Sequence, residues 1–306
     1  LPKHADQFNS IDTKLHQAFA QLQLTQPFYF ASMKDSVEVK GTTDYLRLVA
    51  DLCRVQQDLL DNPPDSAPLD PERLRMCQQH GLPPFAADSL VREDTWLAYL
   101  DALLQRYSPP PDSAVEKAIA SLRNANSGQR KAWAIALVSG QYSLLPAALV
   151  PFLGAALQAA FSHWLLHTPK LALKPGDSLN QCPACGSPAM AGVIRHRGKH
   201  NGLRYLVCSL CACEWHVVRV KCVYCEQSKG LEYVSLDDDR HAANQAPLRA
   251  ETCPGCHSYL KLLYLENDAE AEALSTDLTS LMLDMRLEQE GYVRPAPNLL
   301  LAPGGD

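Results

Sequence analysis

The sequence lacks the short motifs by which many enzymes are recognised. It contains no Gly-x-Ser-x-Gly nucleophile elbow, no glycine-rich loop of the phosphate-binding type and no His-Glu-x-x-His pair for a catalytic zinc ion. The chain therefore shows no sign of the commonest hydrolase, nucleotide-binding or zinc-protease sites. We expect a protein without catalytic activity of its own.

The start of the chain also lacks an apolar run. Residues 1–6 are Leu-Pro-Lys-His-Ala-Asp, and the first helix-like stretch carries acidic residues, which is atypical of secretory and transit peptides. This composition predicts a cytoplasmic protein.

Charged residues are missing altogether from residues 133–166. A run of this length raises the question of a membrane span, but Gly140, Pro146, Pro151 and Gly154 divide it into pieces that are short for about 30 Å of hydrocarbon. We interpret the run as two or three buried helices at the centre of a helical domain, and we expect no membrane span.

The net charge of −6 is distributed unevenly. Residues 180–265 carry 10 basic and 7 acidic side chains, whereas residues 266–306 carry 2 and 9. An excess of three positive charges is too small for a strong nucleic-acid field, and bound thiolate centres would offset it. No nucleic-acid partner is expected.

Cysteine is abundant and arranged in a pattern. Eight of the 11 cysteines form four Cys-x-x-Cys pairs within residues 182–256. Two intervening residues let both thiolates of a tight turn face one ion, and two such turns complete a tetrahedral shell for zinc or a single iron. The sequence therefore predicts two closed metal sites, with the ligands Cys182, Cys185, Cys208 and Cys211 in the first and Cys222, Cys225, Cys253 and Cys256 in the second.

Other arrangements of these cysteines are less favoured but open. Interleaved pairing of the four turns is possible, since the intervals alone do not exclude it. Disulfides are disfavoured in a chain without a secretory segment, and a thioredoxin-like pair would need a βαβ setting. Cys213 is interpreted as a bystander, Cys53 as a core residue, and His216 and His257 as neighbours of the sites rather than ligands.

The rest of the chain divides by periodicity. Helical spacing of apolar residues appears at 45–59 and 96–107, and Ser113 and Glu116 match a capping box. Short strands are predicted at residues 203–207, 214–219 and 259–265, and a C-terminal helix is predicted from about residue 267 to Gly291. The apolar tail at residues 295–301 is expected to dock on the body.

The motifs, taken in order, resemble those of the formate dehydrogenase accessory protein FdhE family. The resemblance is carried by Cys-Pro-Ala-Cys-Gly at 182–186, Arg-Tyr-Leu-Val-Cys-Ser-Leu-Cys at 204–211, Glu-Trp-His at 214–216, Arg219, and the later cysteine pairs with Tyr-Leu-Lys at 259–261. Zinc ribbons in general share the cysteine turns but not this ordered set. The motif-bearing part covers residues 182–261.

The resemblance implies a fold, a cofactor and a partner. The fold is α+β: an all-helical N-terminal domain (1–175), two small rubredoxin-like, zinc-ribbon-type β modules (176–221 and 222–266), and a C-terminal helix and tail (267–306). The implied cofactor is iron in two mononuclear Cys₄ sites, with zinc as the alternative. The implied role is a cytoplasmic assembly factor that binds the catalytic subunit of respiratory formate dehydrogenase and supports its maturation before export.

The expected partner surface comprises Arg204, Glu214, Trp215 and His216 with the basic tip at residues 195–200. Two other functions stay open on the sequence: a nucleic-acid-binding ribbon protein, and a rubredoxin-like electron-transfer protein. The sequence does not decide between iron and zinc, nor does it give the oligomeric state or a role in sulfur or cofactor insertion.

Overall fold

The computed structural model describes residues 42–66, 69–168, 173, 178–196, 202–236 and 245–305. The described chain has a helical region followed by a β-sheet and two short C-terminal helices. Most of the predicted basic tip lies outside the described residues.

Within the described residues, the helical region contains seven α-helices. Their bounds are α1 Thr42–Asp61, α2 Pro71–His80, α3 Ala87–Leu90, α4 Leu97–Arg106, α5 Ala114–Asn124, α6 Ser127–Val138 and α7 Val150–His167. The predicted capping box is confirmed at the start of α5, where the Ser113 side chain accepts a hydrogen bond from the Glu116 backbone at 3.0 Å. The Glu116 carboxylate in turn accepts from the Asp112 backbone at 2.7 Å, one residue earlier than in the usual box.

Helix α7 is the central helix of this region. It packs against α1 and α4, and it forms half of the uncharged run at residues 133–166. The span Ala147–His167 is long and apolar enough to cross a membrane, but 89% of its most apolar window is buried inside the protein. The run thus forms α6, two short 3₁₀ turns and the core helix α7, as the interpretation of buried helices predicted.

Six strands of the described chain form one continuous sheet. They are β1 Ala189–Ile194, β2 Arg204–Cys208, β3 Glu214–Val217, β4 Glu232–Val234, β5 Leu248–Cys253 and β6 Ser258–Tyr264, in the order β3-β2-β1-β6-β5-β4. Strands β1 to β3 form one antiparallel ribbon and β4 to β6 form another. The two ribbons are joined by parallel pairing of β1 with β6, where Gly192 lies opposite Leu262.

This topology repeats the first ribbon by translation. Strands β1, β3, β4 and β6 run in one direction, while β2 and β5 run in the other. Each Cys-x-x-Cys turn lies just before β1 or β4, or between β2 and β3 or β5 and β6. All four turns therefore meet at the same end of one sheet.

The C-terminal segment forms two helices rather than the single predicted one. They are α8 Ala273–Thr279 and α9 Leu281–Gln289. The first begins six residues later than expected because Glu272 caps it, with its carboxylate accepting from the Leu274 and Ser275 backbones at 2.9 and 2.8 Å. The Ser280 hydroxyl donates to the Thr276 carbonyl at 2.7 Å where the two helices meet.

A buried ion network fastens these helices to the sheet. The ammonium of Lys261 on β6 lies 3.1 Å from the Asp277 carboxylate on α8 and 2.5 Å from that of Asp284 on α9. Arg294 pairs with Asp277 at 2.6 Å, and the Tyr259 hydroxyl donates to Asp284 at 2.7 Å. Lys261 and Asp277 have fully buried side chains, so removal of either partner would leave an unpaired buried charge.

The tail docks on the core helix, as its apolar composition predicted. Leu300 is fully buried and Leu299 is 6% exposed. A β-carbon added at Gly154 of α7 would lie 2.5 Å from the Leu299 carbonyl oxygen. Glycine at this position lets the tail backbone approach the helix closely.

Candidate metal centres

Each Cys-x-x-Cys turn, here called a knuckle, ends in a residue with left-handed backbone geometry. The residues that follow the second cysteines are Gly186, Ala212, Glu226 and His257, with φ values of 78°, 54°, 63° and 53°. At Gly186, Glu226 and His257 the backbone N–H of this residue bonds back to the carbonyl of the first cysteine, as His257 does to Cys253 at 2.9 Å. Only glycine adopts the left-handed conformation without steric cost.

The first centre comprises Cys182, Cys185, Cys208 and Cys211. The sulfur of Cys182 lies 3.6 Å from that of Cys211, and the sulfur of Cys185 lies 3.4 Å from that of Cys208. Backbone amides point at these sulfurs, with Ala184 N–H donating to Cys182 and Leu210 N–H to Cys208, both at 3.4 Å. All four cysteines are at most 1% exposed.

Burial dominates the acid–base properties of the first centre. It raises the pKa of the Cys182 and Cys211 thiols well above their usual value. Burial acts in the same direction on Cys185, but hydrogen bonds from Cys182, Cys208 and Cys211 outweigh it and lower the pKa of that thiol. Four thiols packed together thus favour one thiolate that the others solvate, and a cation would stabilise the remaining three.

The second centre comprises Cys222, Cys225, Cys253 and Cys256. The sulfur of Cys222 lies 3.7 Å from that of Cys256, and the sulfur of Cys225 lies 3.5 Å from that of Cys253. Cys222 and Cys253 are buried, whereas Cys225 and Cys256 are exposed. The second centre is therefore open to solvent on one side.

A hydroxyl group adjoins the second centre. The Ser258 oxygen lies 2.9 Å from the Cys256 sulfur and 3.9 Å from the Cys222 sulfur. Burial raises the pKa of the Cys256 thiol, but hydrogen bonds from the side chain and backbone of Ser258 and from the neighbouring cysteines lower it to about 7. The thiolate form of Cys256 is thus favoured near neutral pH.

Both centres fit a tetrahedral ion. With metal–sulfur bonds of about 2.3 Å, the sulfur atoms of a tetrahedral shell stand about 3.8 Å apart. In each centre the four sulfurs lie within 4.8 Å of one another, and the closest pairs are near that separation. The two Cys₄ clusters could therefore each hold a metal ion, in the sequential grouping that the sequence analysis preferred to interleaved pairing.

The helical region docks on the first centre. Backbone N–H groups of Phe85 and Ala87 donate to the carbonyls of Ala184 and Cys185, both at 2.9 Å. The Gln158 amide of α7 donates to the Ser209 carbonyl at 2.9 Å. Each knuckle of the first centre is thus hydrogen-bonded to a helix or loop of the N-terminal region, which explains why this centre is buried.

Comparison with known proteins identifies the whole described fold. Family models named FdhE match in three consecutive pieces: the N-terminal model over residues 37–177, the central domain over 181–219 and the C-terminal domain over 220–301. The chain belongs to the FdhE family.

Relatives in this family extend over most of the chain. A protein FdhE homolog of Pseudomonas putida is 64% identical over 275 residues, which is 90% of this chain and 86% of that protein. The protein FdhE of Escherichia coli K12 is 37% identical over 273 residues, which is 89% of this chain and 86% of that protein. The crystal structure of the FdhE protein from Pseudomonas aeruginosa superposes with a TM-score of 0.85 at 58% identity and covers 96% of this chain and 98% of that chain.

Three of the four residues predicted to bind the partner are buried in this FdhE chain. Arg204 is fully buried, Glu214 is 6% exposed and forms an ion pair with Arg195, and Trp215 donates its indole N–H to the Leu179 carbonyl at 2.9 Å. His216 is exposed beside Tyr205, at a ring separation of 5.6 Å. The role of the four in partner binding stays a prediction, but only His216 presents its side chain to solvent.

Arg204 connects the two ribbons of this FdhE fold. Its guanidinium donates to the carbonyls of Arg219 and Lys221 at 3.2 Å and lies 2.9 Å from the Glu251 carboxylate on β5. A β-carbon on Gly192 would stand 3.6 Å from the Arg204 Nε and 2.6 Å from Leu262, so glycine leaves room for the guanidinium to cross β1. This contact could not be predicted from local spacing, because the two charges are 47 residues apart in the chain.

Two residues beside the centres were missed or set aside at the sequence level. Ser258 was not considered, although it stands two residues after Cys256. Cys213 stands two residues after Cys211, and its thiol is within hydrogen-bonding reach of Cys182 and Cys211. Since the two ribbons repeat, Cys213 and Ser258 hold equivalent positions. Their equal spacing from Cys211 and Cys256 is the sequence signal that could have identified both residues.

Proposed function

We propose that this chain is a non-catalytic accessory factor that binds the catalytic subunit of respiratory formate dehydrogenase in the cytoplasm and supports its maturation before export. Membership in the FdhE family supports an accessory role for formate dehydrogenase in general. The binding step and its timing are the specific content of the proposal.

The observation that carries a binding role is the complete set of four cysteine ligands at both centres. Four thiolates around each ion complete a tetrahedral shell, so neither centre keeps a free position for water or substrate. Closed sites of this kind act as structural supports, and their free energy of metal binding, about 10–16 kcal/mol per site, becomes free energy of folding. The ions would hold a surface in shape rather than perform chemistry.

The bound metal is proposed to be iron, with zinc as the alternative. The support is the all-sulfur donor set, which suits a single tetrahedral iron as well as zinc. Elemental analysis of protein purified without oxygen tests both the identity and the count. Two ions per chain are expected, and a value near one would contradict the grouping of eight ligands into two sites.

The partner surface is proposed to follow the β3 edge of the sheet. Among the described residues, β3 is the last strand on this side of the sheet, and an edge strand presents backbone groups that can pair with another chain. Beyond it, Val218 and Val220 are 59% and 54% exposed, and Arg219 is also exposed. In this arrangement the buried residues Arg204, Glu214 and Trp215 hold β3 and the segment after it in place. His216, Val218 and Val220 then contact the partner directly.

Binding measurements on surface variants test this proposal. Val218→Asp combined with Val220→Asp should weaken binding of the full chain to the purified catalytic subunit at least tenfold, because charges would replace apolar contacts. The matched control is Leu144→Asp, since Leu144 is 64% exposed on the helical region, far from β3 in the chain. Equal affinities for the double variant and the control would reject β3 as the partner surface.

A cellular measurement tests the maturation step. Cells that carry the double valine variant should make less active respiratory formate dehydrogenase at unchanged levels of the accessory chain. If the variant binds weakly but enzyme activity is normal, binding at this edge does not serve maturation.

A further inference from the structure

The two centres have the same shell but different surroundings. At the first centre, all four cysteines are at most 1% exposed, and Ala184 and Leu210 within its knuckles are equally buried. At the second, one cysteine of each knuckle, Cys225 and Cys256, is exposed. The difference is one of access, because the sulfur separations are alike.

The difference in access has a structural cause. The knuckles of the first centre are covered by the helical region, through the Phe85, Ala87 and Gln158 hydrogen bonds. The second centre lies three strands further along the same sheet end, at about 14 Å if each strand adds about 4.8 Å. There the residues around the knuckles are themselves exposed: Glu226, Pro254, Gly255 and His257.

Access decides how a closed tetrahedral shell gives up its ion. A competing ligand must approach the ion before a protein thiolate leaves, and the burial of the four described cysteines of the first centre, each at most 1% exposed, hinders that approach. At the second centre, an ion would be held partly by the exposed thiolates of Cys225 and Cys256, and an incoming thiolate could replace the Cys256 thiolate as a ligand. The released Cys256 thiolate stays next to the Ser258 hydroxyl at 2.9 Å, and no electrons are transferred.

We propose that the second centre is a ligand-exchange site, at which small thiols remove and return the ion, whereas the first centre is an inert structural site. The exchange would involve Cys225 and Cys256 as the displaceable ligands. This inference holds for iron and for zinc, and it does not depend on which protein the chain binds.

The test uses the full chain loaded with two equivalents of zinc. The chromogenic chelator 4-(2-pyridylazo)resorcinol is added in excess, with and without glutathione. We expect one equivalent to be released at least tenfold faster than the other, and glutathione to accelerate only the fast phase in proportion to its concentration. Release of both equivalents at one rate, or acceleration of both phases by glutathione, would overturn the proposal.

Variants assign the two phases. Gln158→Ala removes the hydrogen bond over the first centre, so it should accelerate the slow phase and leave the fast phase unchanged. Cys256→Ser should abolish the fast phase and keep one slowly released equivalent. A Cys256→Ser chain that still releases one equivalent rapidly would place the exchange at the first centre and reject the assignment.

A measurement on the unaltered chain makes the assignment independent of variant folding. Iodoacetamide is added during release, and mass spectrometry records the order in which cysteines are alkylated. Cys222, Cys225, Cys253 and Cys256 should be modified during the fast phase, and the four cysteines of the first centre during the slow phase. The reverse order would overturn the proposal.

Discussion

The guanidinium of Arg204 on β2 reaches the carboxylate of Glu251 on β5 across the two strands that lie between them. The nitrogen–oxygen distance is 2.9 Å, and the side chains are 0% and 4% exposed. Burial raises the pKa of Glu251, while Arg204 and Tyr233 act to lower it. One buried ion pair thus couples the two metal-bearing ribbons and the backbone that connects them.

Removal of this pair should be costly when only one charge is lost. Arg204→Met should lower the free energy of unfolding by about 3–5 kcal/mol, because Glu251 would remain buried without a cation. The double change to Arg204→Met and Glu251→Met should recover part of the loss. Chemical denaturation measures both, and the exposed pair of Arg47 with Asp44 provides the control, since Arg47→Met should cost at most about 1 kcal/mol.

Glycine at a left-handed knuckle position should stabilise the fold. Ala212→Gly removes a β-carbon from a residue at φ 54°, and we expect a gain of about 0.5–1 kcal/mol after the added flexibility of glycine is subtracted. Ala184→Gly, inside another knuckle and fully buried, should instead destabilise. Thermal unfolding of the metal-loaded variants measures the difference, and a loss of stability in Ala212→Gly would contradict the strain argument.

Acid should weaken the attachment of the C-terminal helices. Burial acts to raise the pKa of Asp277, but Lys261 and Arg294 hold it below the usual 3.8. A folded pKa below the unfolded value gives stability that is present above the unfolded pKa and is lost as pH falls through the folded value. Asp277→Asn should therefore lose about 3–5 kcal/mol at neutral pH.

The pH series identifies the group. The stability of Asp277→Asn should depend less on pH than that of the parent chain between about pH 5 and pH 3. The exposed change Asp61→Asn should keep the parent's pH dependence. Parallel stability curves for Asp277→Asn and the parent would show that another carboxylate controls acid unfolding.

When iron is bound, substitutions at the equivalent residues Cys213 and Ser258 should shift the reduction potentials of the two centres in opposite directions. Hydrogen bonds to ligand sulfurs raise the reduction potential of such sites, and a hydroxyl donates more strongly than a thiol. Ser258→Ala should lower the potential of the second centre, and Cys213→Ser should raise that of the first. Potentiometric titration followed by visible absorption checks both, and unchanged potentials would exclude these residues as tuning groups.

Loss of the first ion should be felt in the helical region. Phe85 and Ala87 donate to the first knuckle, so their amide hydrogens should exchange faster with solvent in Cys182→Ser than in the parent chain. Cys253→Ser, which disturbs the second centre, should leave them protected. Equal protection in all three proteins would mean that the helical region holds its shape without the first centre.

Local chemistry was predictable from the sequence, and long-range pairing was not. The cysteine spacing predicted both clusters, because a Cys-x-x-Cys turn brings its two thiolates together within four residues. The capping box at Ser113 was predictable for the same reason. Strands β2, β3 and β6 were also close to prediction, since their β-branched and aromatic residues are typical of strands.

The joined sheet depends on contacts that spacing cannot show. Strand β1 contains Ala189, Ala191 and Gly192, which carry a weak strand signal, and its parallel partner β6 is some 70 residues away in the chain. Arg204 was predicted to lie on the partner surface as part of the motif set that carries the family resemblance, and only the fold brings Glu251 to it. The break between α8 and α9 at Ser280 was not predicted, because the helical spacing of apolar residues continues across it.

Within the part of the chain that the structure describes, repetition by translation leaves the sheet with two different edge strands, β3 and β4. In the repeat, β3 is equivalent to β6, and β4 is equivalent to β1. Strands β6 and β1 pair with each other at the centre of the sheet. Nothing in this repeat limits the number of three-stranded ribbons. A third ribbon, or the sheet of another chain, would find an edge strand that can pair as β1 pairs with β6. Strand β4 limits further pairing because it is short: its three residues offer few backbone groups to which a neighbouring strand could bind.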